Sequence, residues 1–214
     1  MHGSWSSPAS GSLPAMEREP QVAEPSWEST PFEVVIGDYL LLVLPNGRPG
    51  FYDHYRQHAQ FVDELDLDTA AGRIAFVAVR QAEAAWPFLV VRQRYTAHAV
   101  ASDCGAVLLP ETRRLFLAAG ERLLAYDLTP EQPRRLWQDT AELGFWSWRV
   151  HQGVVLMAAE LELAAWDSQA RKLWSTFVEP PWDYRLDDDT VVLDVMGRTS
   201  RFPLRTGPPS RQSA

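Results

Sequence analysis

The sequence predicts an all-β protein made of repeated blade-like units of antiparallel strands. Short apolar segments of strand-like composition are separated by turn residues at intervals of about 8 to 12 residues, which is typical of all-β folds. Nine Trp residues occur among 214, and large aromatic side chains favour strands and interfaces. The phrase LLAYDLTPEQPRRLW at 123–137 returns at 163–174 as LAAWDSQARKLW. These observations together predict one supersecondary unit used several times.

The first part of the body contains several strand segments and one helical segment. EVVIGDYLLLVL predicts two strands around the Gly-Asp pair at 37–38, and GRIAFVAVRQ and FLVVRQRY predict a hairpin whose connection contains AEAAWP. FYDHYRQHAQFVDELDL is the one stretch with helical spacing. A helix there would place Tyr55, His58 and Phe61 on one face.

Composition divides the chain into a body and two tails. Residues 1–30 are rich in Ser, Pro, Gly and Glu, and residues 208–214 have a similar character. Such segments bury too little apolar surface to offset the entropy lost on ordering. We expect both to be disordered tails around a single domain at 31–207, a length that one β domain can fill.

The elements of the repeated phrase recur in the same order at nearly constant spacing. Matched pairs lie 40 residues apart, and after a shortened loop 37 apart: Ala118-Ala119 with Ala158-Ala159, Tyr126-Asp127 with Trp166-Asp167, and Leu136-Trp137 with Leu173-Trp174. A second similarity relates FWSWRV at 145–150 to PWDYRL at 181–186. A degenerate third copy of the repeat occupies 191–207. One such unit cannot bury both faces without neighbours stacked on it. We expect the aromatic of AYD and AWD to face the next unit and the Asp to shape the turn that follows.

The segments AYDLTPEQPRRLW and AWDSQARKLW resemble the strand-turn-strand part of quinoprotein-type and WD-type β-propeller repeats. The resemblance covers roughly residues 107–207. It implies a small or partial β-propeller of about four blades, with the N-terminal half as divergent units. The turn lacks the Thr-Gly that the quinoprotein pattern usually has, so the resemblance does not imply a bound quinone.

Charge and cysteine content narrow the partners and the compartment. The formal net charge is −8, which argues against binding nucleic acid or an anionic membrane, because both require clustered cations. A basic protein is the better electrostatic match. Cys104 is the single cysteine, so neither an intrachain disulfide nor a cysteine zinc site can form. With no signal-peptide pattern or membrane-spanning apolar run, we expect a cytoplasmic protein.

Three clusters invite a catalytic or metal-binding interpretation. His54 and His58 have the i, i+4 spacing of a metal pair, but no third ligand is evident, so metal binding there is left open. His98, Asp103 and Cys104 could form a nucleophilic arrangement only if brought together in space. The acidic run 187–189 could hold a hard cation, but acidic hairpin turns are common. We predict no catalytic residue, metal site or cofactor.

Aromatic residues at the connections between units form the candidate partner-binding site. Trp, Tyr and Arg dominate protein-binding hot spots, and acidic neighbours suit a basic partner. The predicted set is Trp146, Trp148, Arg149, Trp182, Tyr184, Asp187, Asp188 and Asp189.

The functional hypothesis is a non-enzymatic protein-binding module. Its sharper form is a bacterial immunity protein that binds and blocks a basic toxin enzyme, because complementary charge speeds encounter and aromatic anchors slow dissociation. The alternative is a small propeller enzyme or ligand-binding protein whose site is assembled from distant loops.

Overall fold

A computed structural model describes residues 31–66, 71–96 and 104–209, which fold into four mostly antiparallel sheets. The first sheet has the order β1-β2-β4-β5-β3, and the other three follow chain order. The strands of the first sheet are β1 (Phe32–Ile36), β2 (Tyr39–Leu44), β3 (Phe61–Leu65), β4 (Arg73–Gln81) and β5 (Leu89–Tyr95). Those of the second are β6 (Cys104–Leu109), β7 (Arg114–Ala119), β8 (Arg122–Asp127) and β9 (Arg134–Thr140). The third contains β10 (Phe145–His151), β11 (Val154–Ala159), β12 (Glu162–Asp167) and β13 (Lys172–Phe177), and the fourth β14 (Trp182–Asp187), β15 (Thr190–Val195) and β16 (Arg198–Pro203).

The repeat detected in the sequence corresponds to the second, third and fourth sheets. β7, β8 and β9 align with β11, β12 and β13, so the matched Ala pairs end equivalent strands. The degenerate third copy forms β15 and β16. The predicted all-β architecture of repeated blade-like units is confirmed.

The four sheets stack face to face, and a separate hydrophobic cluster fills each gap between consecutive sheets. Strands in the middle of the stack are therefore buried on both faces, as β11 and β12 are along their whole length. This explains why LFLAA of β7 and VVLMAA of β11 are continuous apolar runs without the alternation of a half-exposed strand. Burial of these two-sided strands is the main stabilising contribution of the fold.

The gap between the second and third sheets is narrow at the first strands and wide at the fourth. β6 and β10 approach closely, and a Cβ added to Gly105 would lie 2.7 Å from the ring of Phe145. At the other side the indoles of Trp137 and Trp166 stack with centroids 5.6 Å apart. Gly105 therefore allows the close approach of β6 to β10, and paired indoles fill the gap at the fourth strand.

In the described part of the chain, a helix covers one end of the stack, and the other end is a polar sheet face. The helix α1 (Tyr52–His58) covers the outer face of the first sheet, where Tyr52 and Tyr55 pack against Phe76. The outer face of the fourth sheet carries exposed charged side chains, including Arg185 and Arg201. No hydrophobic cluster of the described residues joins the first sheet to the fourth. The described part of the chain is thus an open stack of four blades, with polar capping of the kind that ends repeat arrays.

The Asp of each repeated phrase organises the turn after its strand, as predicted. Asp127 Oδ1 accepts hydrogen bonds from the backbone N–H and hydroxyl of Thr129, at 3.0 and 2.7 Å. Asp167 Oδ1 accepts from the backbone N–H groups of Gln169 and Arg171, both at 2.9 Å. Burial alone would raise the pKa of both carboxyl groups, but these hydrogen bonds and nearby Arg side chains lower it below the usual value.

The prediction that the aromatic of AYD and AWD faces the next unit is wrong. Tyr126 lies in the cluster between the first and second sheets, and Trp166 in the cluster between the second and third. Each therefore faces the preceding sheet. The fourth-strand indoles of Trp137 and Trp174 lie on the following side of their sheets.

The predicted helical face is also only partly correct. α1 ends at His58, and Phe61 begins β3, which pairs in parallel with β5 through Phe61 and Leu89. Tertiary strand pairing overrides the local helical spacing there. The predicted N-terminal tail and most of the C-terminal tail lie outside the described residues. None of the helices in the described ranges has the length and apolar character needed to cross a bilayer.

Candidate functional site: the β10–β14 surface

Four of the predicted site residues form one stack at the first strands of the third and fourth sheets. The rings of Trp146 and Trp182 are stacked, with centroids 5.1 Å apart and an interplanar angle of 10°. Tyr184 continues the stack at 6.3 Å from Trp182. The guanidinium of Arg149 lies 5.9 Å from the Tyr184 ring centroid, a cation–π contact.

A bulge in β10 creates this arrangement. The register of β10 against β11 shifts between Phe145 and Ser147, so Trp146 is the extra residue. Phe145 and Trp148 consequently pack toward the second sheet, whereas Trp146 packs toward the fourth. The bulge allows two nearby indoles of one strand to serve two different gaps.

Exposure differs among the stacked residues. Trp182 is 9% exposed and donates its indole N–H to the Glu160 carbonyl oxygen at 3.0 Å. Trp146 and Tyr184 are half-buried, Arg149 is exposed, and Val150 is 44% exposed. Burial raises the pKa of the Tyr184 hydroxyl, and the Arg149 charge opposes that shift. We name the accessible part the β10–β14 surface, consisting of Trp146, Arg149, Tyr184 and the acidic residues 187–189.

The structure places Trp148 in the core between the second and third sheets. Its ring contacts Phe116 and Trp166 edge to face, with centroids 5.7 and 5.8 Å apart. Trp148 therefore contributes to packing between blades, together with Trp182, and lies apart from the β10–β14 surface. The indole N–H groups of Trp146 and Trp148 are buried without a hydrogen-bond partner among the described residues.

In the predicted acidic run, Asp187 ends β14, and Asp188 and Asp189 form the turn to β15, with all three residues exposed. Asp187 pairs with Arg201 at 2.7 Å. Asp188 adopts a φ of 50°, and its carbonyl oxygen accepts a hydrogen bond from His151 Nε2 at 2.9 Å. The Asp188 and Asp189 carboxylates have no partner among the described residues, so they present negative charge at the end of the β10–β14 surface.

His54 and His58 face an aromatic residue. His58 stacks on Trp86 with centroids 4.5 Å apart, and His54 lies 6.1 Å from the same indole. No group of three or more His, Cys, Asp or Glu side chains in the described ranges could hold a metal ion. Trp86 and Phe51 are 40% and 67% exposed. This aromatic patch was not predicted from the sequence, although a Trp before Pro in the AEAAWP connection could have indicated it.

The candidate nucleophilic arrangement of His98, Asp103 and Cys104 falls mostly outside the described ranges. His98 and Asp103 belong to the segment 97–103, of which nothing is described. Cys104 opens β6 and packs, half-buried, against the cluster between the first and second sheets. Its surroundings there are those of a small apolar side chain.

A cleft of about 360 Å³ opens between the first and second sheets. Its lining includes Arg94 of β5, Arg122 of β8, Asp139 of β9 and Glu121 of the turn before β8. Arg122 pairs with Asp66 across the cleft. The volume is within the range of small-molecule sites.

Comparison with known proteins adds little to this description. The chain matches no family model and no curated protein. Among solved structures it is similar to KlHsv2 with loop 6CD replaced by a Gly-Ser linker, at 13% identity and a TM-score of 0.27. It is also similar to Kluyvelomyces marxianus Hsv2, at 15% identity and the same TM-score. Each match covers 46% of this chain and 34% of the other, so the chain spans about a third of those structures.

Proposed function

We propose that this protein is a non-enzymatic binding module for a basic protein and that it uses the β10–β14 surface. The observation that carries the proposal is the accessible edge of the aromatic stack, in which Trp146 and Tyr184 remain half-exposed beside the exposed Arg149. Rigid aromatic rings beside an Arg are the composition of binding hot spots. Their mutual stacking means that little side-chain entropy is lost on binding.

Charge supports a basic partner in particular. The acidic residues 187–189 add carboxylates at the end of the surface, and the whole chain has a formal net charge of −8. An acidic protein attracts a cationic one at long range and raises the association rate. The apolar contact with the rings would then slow dissociation.

The sharper form of the proposal is a bacterial immunity protein. Nucleic-acid-attacking toxin enzymes need cationic grooves to hold their substrates. A small acidic protein with a rigid aromatic surface has the features needed to block such a groove. No catalytic residue of this chain is required for that function.

The test is affinity capture of the basic partner by the tagged full-length chain, washed at low and high salt and identified by mass spectrometry. We expect one basic protein at near-equal stoichiometry. It should be lost with Asp189→Lys and Arg149→Glu, which alter the surface, and kept with Glu83→Lys, an exposed position in the β4–β5 connection. Retention by all variants would place the contact elsewhere, and absence of a basic partner would contradict the proposal.

The immunity function needs a second measurement. Co-expression of the captured protein with this chain should restore growth of a host that the captured protein alone inhibits. Rescue should weaken with Asp189→Lys and persist with Glu83→Lys. If the captured protein inhibits nothing, the binding proposal stands and the immunity form is wrong.

The 360 Å³ cleft supports the alternative, a small-molecule site built from distant strands. The lining carries two Arg side chains and the carboxylates of Asp66, Glu121 and Asp139, so a polar ligand with groups of both charges would suit it. Thermal stabilisation of the wild-type protein, but not of Arg122→Gln, by members of a polar metabolite library would establish this alternative.

A further inference from the structure

Within the described residues the fourth sheet has three strands, whereas the second and third sheets have four strands each. In the second and third sheets the third strand is paired on both sides, β8 with β7 and β9, and β12 with β11 and β13. Both of those strands are largely buried. Their counterpart β16 pairs only with β15 among the described residues, and its first four residues are exposed. The described part of the chain therefore leaves β16 as an edge strand.

The register shows which backbone groups face this edge. β15 and β16 are joined by the two-residue turn Met196-Gly197, in which both residues have positive φ. In such hairpins the flanking pair, here Val195 and Arg198, exchanges hydrogen bonds, and the pattern alternates along the ladder. The N–H and C=O groups of Thr199 and Arg201 thus face outward. The next outward position is Pro203, which has no N–H group.

The edge is cationic although the protein is acidic. Arg198 is exposed and makes no ion pair with the described residues, whereas Arg201 is 54% exposed and pairs with Asp187. Arg205 follows in the next turn, where it donates to the Gln152 carbonyl oxygen at 2.8 Å. Between Arg198 and Arg201 stand only Thr199 and Ser200, so no acidic side chain of β16 offsets these charges.

We propose that the β16 edge accepts an extended acidic segment of another protein as the fourth strand of this sheet. Main-chain hydrogen bonds to Thr199 and Arg201 would supply the pairing, as in β-strand addition. Arg201 lies three positions after Arg198, so the two side chains lie on opposite faces of β16. Carboxylates on the outer face of the added strand would lie opposite or diagonal to Arg201, where opposite charges stabilise a cross-strand pair. This surface and this partner differ from those of the basic-protein proposal, and neither depends on the other.

A second copy of the same chain suits the edge poorly. Two β16 strands related by a two-fold axis can pair through their outward-facing residues in registers centred on Thr199, Ser200 or Arg201. The first two registers make Arg198 or Arg201 a diagonal neighbour of its own copy, and the third places the two Arg201 side chains directly opposite. Like charges in these positions are destabilising, so charge selects an acidic strand.

The test uses amide hydrogen exchange of the full-length protein by NMR, with and without an acetylated acidic peptide, TEVEVEVT, as the probe. In the protein alone, the amides of Thr199 and Arg201 should exchange rapidly and that of Ser200 slowly, because only Ser200 is paired with β15. Saturating peptide should slow exchange at Thr199 and Arg201 by at least about tenfold, with no such change in β10. Slow exchange at both residues before peptide is added would show that the edge is already filled, by another segment of this chain or by a second copy, and would overturn the proposal.

Variants check charge and pairing separately. Arg201→Glu should weaken the acidic peptide by about tenfold or more and favour the basic analogue TKVKVKVT. Thr199→Pro removes one outward N–H group while leaving the β15 pairing in place. Arg185→Glu is the matched control, because Arg185 lies in the same row of the same face on the opposite edge strand. Equal binding by all variants, or equal binding of the two peptides, would contradict the proposal.

Discussion

The indole N–H of Trp174 donates a hydrogen bond to the carbonyl oxygen of Leu204 at 2.7 Å, which ties β13 to the turn after β16. Trp137 makes the corresponding bond one repeat earlier, to Ala170 at 2.6 Å. The fourth strand of each of these sheets thus holds the next sheet by one indole, which is buried at Trp174 and half-buried at Trp137. Each position needs an indole N–H for this bond, which explains why Trp recurs there although the preceding loop is shorter in the second unit.

Replacing Trp174 should be among the most destabilising changes in the chain. Trp174→Ala removes a ring that is 8% exposed and stacks edge to face on Phe202. We expect a loss of about 3 to 5 kcal/mol in the free energy of unfolding. Trp174→Phe keeps most of the volume and should lose less. An unchanged denaturation midpoint for Trp174→Ala would contradict the stacking of the third and fourth sheets.

Gly207 should be coupled to the same ring. It has a φ of +73°, and a Cβ there would lie 2.4 Å from Trp174 Cγ. Gly207→Ala should therefore cost on the order of 1 to 3 kcal/mol through strain and overpacking. In the Trp174→Ala background the overpacking disappears, so the additional cost should fall. A double-mutant cycle on chemical denaturation measures this coupling, and strictly additive effects would show that the contact is absent.

The turn aspartates should make stability depend on acid. The folded-state pKa of Asp127 is lowered, since hydrogen bonds from Thr129 and the Arg114 charge outweigh the effect of burial. Its contribution is therefore present above the unfolded pKa of about 3.9 and is lost as pH falls through the lower folded value. Asp127→Asn should destabilise at pH 7 by about 1 to 3 kcal/mol and by less at pH 2. Thermal denaturation at the two pH values measures the difference, and an equal loss at both would contradict this origin.

Glu162 should have the opposite pH dependence. Burial raises the pKa of its carboxyl group, and Lys172, 3.6 Å away, only partly offsets that effect. Its contribution is then fully present below the unfolded pKa of about 4.3 and decreases as pH rises through the folded value. The free energy of unfolding of Glu162→Gln, relative to that of the wild type, should therefore be higher at pH 7 than at pH 4. A larger relative loss at pH 7 would mean that the Lys172 ion pair dominates.

Association with the basic partner should depend strongly on salt. Exposed charges are screened over about 8 Å at physiological ionic strength. The association rate should consequently fall as salt rises, with a smaller change in the dissociation rate, because the apolar ring contacts are not screened. Stopped-flow or biosensor kinetics at three salt concentrations measure both rates. A salt effect confined to dissociation would indicate that charge does not guide the encounter.

Some elements were predictable because their information is local. The turn residues at 37–38, the hairpin around AEAAWP and the constant spacing of the repeated phrase all follow from short-range sequence. The turn function of Asp127 and Asp167 was predictable for the same reason, since the donors lie within four residues. Phe61 was misassigned because its pairing with Leu89 in β5 is distant in sequence.

The candidate site shows the same division. The sequence predicted that Trp146, Trp148 and Trp182 form an aromatic cluster with Arg149 and Tyr184. It could not predict which ring would be buried, because the bulge at Trp146 sends neighbouring indoles of β10 into different gaps. Spacing on one strand does not determine what lies opposite each face.

The sequence by itself determined the all-β class, the repeat unit and its turn chemistry, since these depend on side-chain periodicity and on hydrogen bonds within a few residues. Only the tertiary structure decided the direction in which Tyr126 and Trp166 face, the covering of the first sheet by α1, and the edge position of β16. Each of these depends on contacts between sheets or on which strands of the described ranges pair with each other. Burial of two faces at once is a property of the stack and cannot be read from one blade.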